Sequence, residues 1–378
     1  MLCLGKLKTR PKKTARGKNK LIVCHAHTCI TGITGAPKAA QTIPNTPDKK
    51  AIITTIAFDY RDGEILQYCE VANIQSAKPK GVIPTERYFI FIGRGRTLPE
   101  VLDTLDEELK EPRYVSGIDT IVLTENFAKR YLVETLNHFK ADETIRKKAM
   151  TVITKEEILK LFENAHSKGY SAGVYIKGIL DSLKYNGRTF IRMTVRMIEN
   201  IYSGYTSFLI PCMGIFNQSI SLIGYSVVSD SSVTGFIPSA ESQGVLYLKA
   251  KKPKEQYIVP YQDVNFTVEV EMQKRKVKPY YDGDEVSFDL QFEIKASVLY
   301  GDKKPPLNLD KAAYSSIKDA LEATIKGEIS KAIEDAQKLY KADYLQFDDE
   351  FRIKYPKEFE SMDWSSEFAN ANFEINVK

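Results

Sequence analysis

Residues 264–300 read VNFTVEVEMQKRKVKPYYDGDEVSFDLQFEIKASVLY, and the parity of their apolar positions decides the fold of the C-terminal half. Val264, Phe266, Val268, Val270 and Met272 alternate with polar residues before Asp282-Gly283, and Val286, Phe288, Leu290, Phe292, Ile294, Ala296 and Val298 do so after it. Successive strand side chains point to opposite faces, so the pattern predicts an antiparallel hairpin with one dry and one wet face. The dry face needs a cover. Between Asp310 and Lys341, Ile317, Leu321, Ile325, Ile329, Ile333, Ala336 and Tyr340 fall on one helical stripe. A helix of about 30 residues is roughly 45 Å long, enough to cross a whole sheet. A second helix is expected from near Tyr344 to Pro356, then a closing strand, NFEINV.

Upstream the pattern alternates. AIITTIAFD and EILQYCEVANI are strands around Asp62-Gly63, a hairpin signal. RYFIFIGRGR is a strand running into Thr97-Leu-Pro-Glu100, the Thr-x-x-Glu spacing of a capping box, and a helix through Leu98, Leu102, Leu105 and Leu109. GIDTIVLTE and KAMTVIT are further strands, and ENFAKRYLVETLNHF and TKEEILKLFENAH are helices, the second with its own Thr154/Glu157 start. GVYIKGILDSLK and TFIRMTVRMIEN close this half as helices near Asn200. FLIPCMGIFNQ and SLIGYSVVSD are strands, and PSAESQGVLYL holds a short helix. The fold class predicted is α+β. An N-terminal α/β-layered lobe precedes a C-terminal lobe with an antiparallel sheet covered by a long amphipathic helix. The expected division is 1–50, a basic disordered segment, then domains 51–203 and 204–378.

Charge placement matters more than the net +5 of the 378 residues. Residues 1–47 hold nine Lys or Arg and no Asp or Glu, so the remainder carries 45 basic against 49 acidic residues. A basic tail can bind nucleic acid through counterion release, but residues 1–20 hold no aromatic to stack on bases, and no nucleic-acid partner is expected. No run of 18 apolar residues exists. The apolar run from Leu21 is broken by His25, His27 and threonines, so an export signal is expected to be missing or poor. Five cysteines, at 3, 24, 29, 69 and 212, make no disulfide framework, and Cys69 reads as a buried small hydrophobe.

Several motifs invite chemistry. Cys24, His25, His27 and Cys29 are zinc-ligand types, yet they crowd into LIVCHAHTC at 21–29, whereas structural zinc sites draw ligand pairs from two separated places. No metal or other cofactor is expected. GYSAG at 169–173, with His166 nearby, matches the Gly-x-Ser-x-Gly elbow, which requires a strand before the serine. The preceding residues have helical period, so a helix-to-helix turn using Gly169 and Gly173 is expected. Gly93-Arg94-Gly95 lacks the rest of a phosphate loop and reads as a turn. KRKVK at 274–278 reads as a solvated strand edge or, second, as a contact for anionic headgroups.

KAIEDAQKLYKADYLQFDDEFRIKYPKEFESMDW (331–364) resembles the C-terminal signature of the Ger(x)C spore germination proteins. FIGRGRTLPEVLDTLDEEL (91–109) is similar to that family's strand, turn and helix, and LIGYSVVSDSSVTGFIPSAESQGVLYLKA (222–250) to its next segment, with Gln-Gly-Val-Leu-Tyr-Leu at 243–248. The resemblance runs colinearly through residues 51–378. It implies a non-enzymatic C subunit of a GerA-type nutrient germinant receptor. Such a subunit is a lipoprotein on the outer face of the inner spore membrane, acting with A and B membrane subunits, and the family supplies no catalytic residues. Cys24 is the possible lipidated cysteine: Leu21 and Ile22 suit a lipobox, whereas Val23 is larger than the Gly, Ala or Ser the processing site accepts. The competing expectation is a soluble α+β enzyme with an unrecognised site.

Overall fold

The computed structural model of the chain describes residues 50–73, 87–191, 193–204, 207–303 and 309–378. The basic tail and the Cys24, His25, His27 and Cys29 stretch lie outside these residues.

β1 (Ala51–Arg61) and β2 (Glu64–Ala72) pair antiparallel, as expected. Asp62 and Gly63 both hold positive φ, 54° and 87°, in the two-residue turn whose twist matches a hairpin. β3 (Tyr88–Gly95) pairs with β2, and α1 (Leu98–Glu108) folds back over it. The stripe of α1 runs through Leu98, Val101 and Leu105, with Val101 taking the place expected for Leu102. The glycines of Gly93-Arg94-Gly95 are packing glycines. A Cβ at Gly93 would strike the Val101 carbonyl, and one at Gly95 would lie 2.8 Å from the Val101 nitrogen.

β4 (Arg113–Tyr114) and β5 (Thr120–Thr124) run parallel to β1; then follow α2 (Glu125–Ala141), β6 (Met150–Thr154), α3 (Ile158–Ser167), α4 (Ala172–Tyr185) and α5 (Thr194–Tyr202). Every residue of β5 and β6 is buried, as befits parallel strands covered on both faces. Ile121, Leu123 and Ile153 join the core formed with α1, α2 and α5, while Val122 and Val152 join the core formed with α3 and α4. Two helix starts differ from expectation. Thr154 is the last residue of β6, its hydroxyl accepting from the Glu156 amide at 3.0 Å, and α3 starts at Ile158. Met193 first bridges to Met150, so α5 begins at Thr194.

β7 (Phe208–Phe216) pairs parallel with β6, and β8 (Ser219–Ser229) and β9 (Ser232–Pro238) continue as an antiparallel meander. The order of the larger sheet is β3-β2-β1-β5-β6-β7-β8-β9, with β4 beside β1. This sheet therefore runs past the 203/204 division to Pro238. The cause is non-local: Ile153 pairs with Cys212, a contact that local periodicity does not encode. β8 serves three cores: Val228 joins the one with α1, α2 and α5, Ile220 the one with α3 and α4, and Tyr225 and Val227 that of the C-terminal half.

After a 3-10 turn (Ser239–Glu241) come α6 (Gln243–Lys249), β10 (Lys254–Tyr261), β11 (Val264–Tyr281), β12 (Val286–Gly301), α7 (Lys311–Glu334), α8 (Phe347–Lys354), α9 (Pro356–Ser361), α10 (Trp364–Asn370) and β13 (Asn372–Val377). The smaller sheet has the order β10-β11-β12-β13, antiparallel except that β13 runs parallel to β12. Phe266, Val268, Val270, Phe288, Leu290 and Phe292 pack beneath Ile317, Leu321, Ile325, Ile329 and Ile333 of α7. The mixed α+β architecture and the helix-covered hairpin thus follow the alternation of 264–300.

Two details depart from it. α7 keeps α-helical form to Glu334 and then widens into a π turn, Asp335–Leu339, so the helical stripe ends in a different hydrogen-bond pattern from the one expected to Lys341. The register of β11 against β12 slips between Met272 and Lys274, which changes the parity of the strand. Beyond the bulge Lys274, Lys276 and Lys278 are exposed, while Arg275 and Val277 are partly buried. KRKVK is therefore only half a solvated run. Arg275 donates to the Tyr247 and Ala250 carbonyls at 2.8 and 3.2 Å and closes the end of α6.

Candidate functional site

Glu70 is the one carboxylate of β2 that sits among apolar neighbours, and it is 0% exposed. A buried carboxylate is costly unless its oxygens are filled by donors. The Thr54 and Thr55 hydroxyls donate to Oε2 at 2.7 and 2.5 Å, and Oε1 takes the Ala172 amide at 2.9 Å and pairs with His166 Nε2 at 2.6 Å. Thr55 Oγ1 accepts the Gly173 amide at 2.7 Å, the Thr120 hydroxyl donates to the Gly173 carbonyl at 2.9 Å, and Tyr88 stacks on His166 with centroids 5.2 Å apart. These contacts tie β1, β2, β5, α3 and α4 into a polar knot around GYSAG.

That geometry disposes of the nucleophile elbow. The serine follows α3 rather than a strand, is fully buried, and serves as the N-cap of α4 by accepting the Val174 amide at 3.2 Å. Gly169, at φ +83°, makes the turn, while Gly173 lies inside the first turn of α4. His166 is held by Glu70. The knot positions helices and leaves no free hydroxyl beside a base.

A second polar feature lies at the carboxyl ends of β1, β5 and β6, where open α/β sheets place their ligands. It is a crevice of about 500 Å³ lined by Asp59, Arg61, Thr124, Arg130, Lys155 and Glu156, among others. Asp59 Oδ1 accepts the Thr124 hydroxyl at 2.7 Å, and Arg61 lies 3.3 Å from Oδ2. Arg130 covers the Tyr60 ring, Lys155 the Phe236 ring, and Glu156 accepts the Ile215 amide. The six side chains named are thus engaged within the chain, by hydrogen bonds, an ion pair and aromatic faces. The sequence signal for it was polar residues closing three strands, in FDYRDG, LTEN and ITKEE, a pattern read only as turns and caps.

The 331–364 signature folds around Asp343, which is buried. Its carboxylate accepts the Phe347 and Asp348 amides at 3.1 and 2.8 Å and Trp364 Nε1 at 3.0 Å. This carboxylate starts α8, so the helix expected near Tyr344 begins at Phe347. Pro356 then opens α9 at its first position, where a missing N–H is harmless. Burial raises the pKa of Asp343. Burial, then the charge of Asp343, pushes Asp348 up to about 8. Nearby, Lys249 donates to the Leu345 carbonyl and to Gln346 Oε1.

The last feature is apolar. Between α7 and the far half of β12 lies a groove of about 460 Å³, floored by Val268, Ile294, Ala296 and Val298 and roofed by Ile317 and Leu321. Among the described residues no group of His, Cys, Asp and Glu could hold a metal ion, and no helix is long and apolar enough to cross a membrane. Cys69 and Cys212 are buried and free, and burial pushes both thiols up to about 12. Cys69 is the buried hydrophobe expected, whereas Cys24 lies outside the described residues.

Residues 45–215 match the family of spore germination protein N-terminal domains, and residues 223–378 match the family described as spore germination B3/GerAC like, C-terminal. The chain is 25% identical over 300 residues to the spore germination protein YndF of Bacillus subtilis (strain 168), covering 74% of this chain and 69% of that protein. A solved structure, the crystal structure of the GerBC protein, shares the fold with a TM-score of 0.57 at 16% identity, over 85% of this chain and 95% of that one. With the two domains in order along it, the chain belongs to the GerAC-like family of spore germination proteins.

Proposed function

We propose that this chain is the C subunit of a nutrient germinant receptor. It works without enzyme chemistry beside A and B membrane subunits at the outer face of the inner spore membrane. The observation that carries this reading is the presence of both family domains, in order, on a fold that covers 95% of GerBC. The internal engagement of Glu70, Ser171 and the crevice charges supports a scaffold role over a catalytic one. Cys24 is the proposed attachment point, since Leu21 and Ile22 precede it as in a lipobox. Deleting the gene in a strain without paralogues should abolish nutrient-triggered germination, followed as loss of optical density, while a nutrient-independent trigger still works. Normal nutrient germination in that strain overturns the reading. Intact-mass analysis of the native protein tests Cys24 separately: an unprocessed, unlipidated N-terminus removes it.

A further inference from the structure

The larger sheet has two edges, β3 and β9. β9 is blunted: it ends in Pro238, the Tyr340 ring lies where a Cβ of Gly235 would be, and the Tyr340 hydroxyl donates to the Phe236 carbonyl at 2.9 Å. β3 lacks such devices over Tyr88-Phe89-Ile90-Phe91-Ile92, a run with no charge, no proline and no slip in its register against β2. Along a strand, N–H and C=O groups alternate between the two edges. The Arg87 carbonyl accepts the Asn73 amide at 2.9 Å, so the odd-numbered residues of β3 bond to β2. The amide and carbonyl of Arg94 point the other way, and each lies 2.9 Å from the Thr104 hydroxyl of α1. Tyr88, Ile90 and Ile92 share the outward direction of Arg94, and among the described residues nothing pairs with their backbone groups. The outer edge is therefore three open residues, closed at Arg94 by α1.

We propose that two copies of this chain pair through β3, antiparallel about a two-fold axis at Ile90, and so join their larger sheets into one. The inference does not rest on the receptor-subunit reading. In this register the open set is its own complement. Ile90 meets Ile90 of the second copy and Tyr88 meets Ile92, all as hydrogen-bonded pairs. A shift of one residue sets open groups against those already bonded to β2, and in one direction places Arg87 opposite Arg94. A shift of two, in that direction, loses Tyr88 to Arg94, whose groups Thr104 holds. The side chains select the same register. On one face Ile90 and Ile92 already pack on the core of α3 and α4; on the other Phe91 packs on that of α1 and α2, while Phe89 is 41% exposed. Pairing about Ile90 sets Phe89 against Phe91 of the second copy, an aromatic cross-strand pair of the kind that stabilises sheets, and Arg87 against Gly93. No like charges then face each other between residues 87 and 93. An uncharged run gives a foreign strand no charge to recognise, whereas a second copy fills every position.

The test follows the full chain by sedimentation equilibrium and amide hydrogen exchange from about 1 μM to about 1 mM, a span that covers weak and moderate self-association. A monomer–dimer equilibrium is expected, with exchange at Tyr88, Ile90 and Ile92 slowing as the dimer fills. Ile90→Pro removes an amide that the ladder with β2 does not use, and the two-fold axis doubles the loss. The dissociation constant should rise about tenfold or more while the melting temperature is kept. Phe89→Glu, at an exposed position, sets a carboxylate against the Phe91 ring of the second copy. It should weaken the dimer by a similar factor, and it covers the case in which the proline variant does not fold. If neither variant folds, the three amides of the unmodified chain decide alone. A chain that stays monomeric to about 1 mM overturns the proposal. So does a dimer that keeps its dissociation constant in either folded variant, or one that leaves the three amides exchanging freely. Protection of those amides in the monomer overturns it as well, because the chain's own residues then cover the edge.

Discussion

Glu70 and Asp343 are both buried carboxylates, and their surroundings differ in kind. Glu70 meets donors only: two threonine hydroxyls, an imidazole nitrogen and a backbone amide, drawn from β1, α3 and the start of α4. Asp343 also accepts from its neighbours, but a second carboxylate, Asp348, lies within the same turn. The first arrangement joins elements far apart in sequence, up to 102 residues for the Ala172 contact. The second organises a local turn and stores a titration. A buried charge can therefore act as a long-range tie or as a pH-dependent local switch point, depending on whether its neighbours include another acid.

The largest effect is expected from Glu70→Ala. It removes the shared acceptor and leaves buried donors unpaired, so stability should fall by about 3–5 kcal/mol in chemical denaturation, the range for breaking a buried polar network. A loss below about 1 kcal/mol would show that Glu70 is not the tie between the strands and α4. Asp343→Ala should cost less, about 2–3 kcal/mol, because its acceptors serve one turn and the amides it leaves can reach water as α8 frays. Trp364 is the only tryptophan and its indole donates to Asp343, so the same variant should shift the fluorescence emission. Unchanged emission would contradict that hydrogen bond.

How much of this contrast could be read beforehand depends on range. The alternation in 264–300 announced its hairpin because parity is a local property, and the stripe of α7 announced its cover. The bulge at Met272/Lys274 was hidden by KRKVK, where consecutive charged residues erase the parity signal, so the inward turn of Arg275 went unread. Pairing of β7 with β6 is non-local, and so is the convergence on Glu70 of Thr54, His166 and Ala172. One local clue to the knot existed: EILQYCEVA places a glutamate where the flanking residues are buried on both faces. Thr-x-x-Glu spacing succeeded at Thr97, whose hydroxyl accepts the Glu100 amide, and failed at Thr154, because the motif does not say where the preceding strand stops.

The Asp343 and Asp348 pair makes the contrast dependent on pH. Asp348 is raised to about 8 when folded, by burial and then by the charge of Asp343. An unfolded aspartate titrates near about 3.9. Between these values the folded state holds a proton that the unfolded state has released, so stability falls as pH rises. The contribution is fully present below the unfolded value and is lost as pH rises through the folded one. Melting temperature should accordingly drop from about pH 5 to about pH 8, and the drop should be smaller in Asp348→Asn, which cannot ionise. An equal drop in both proteins would move the titration to other groups. Because the two carboxylates interact, the midpoint belongs to the pair.

The smallest effect returns to GYSAG and separates a cap from a nucleophile. Ser171 accepts the Val174 amide at the start of α4. Replacing an N-cap serine by alanine costs about 1 kcal/mol, whereas glycine costs only a few tenths, because glycine adopts the cap backbone freely. Ser171→Ala should therefore be less stable than Ser171→Gly, although alanine is ordinarily the better helix residue. A nucleophile would treat the two alike, since both lack the hydroxyl. The ordering of the two denaturation midpoints decides the matter: if alanine equals or exceeds glycine, the serine is not acting as the cap. The Glu70 knot would then hold α4 by the Ala172 and Gly173 amides alone.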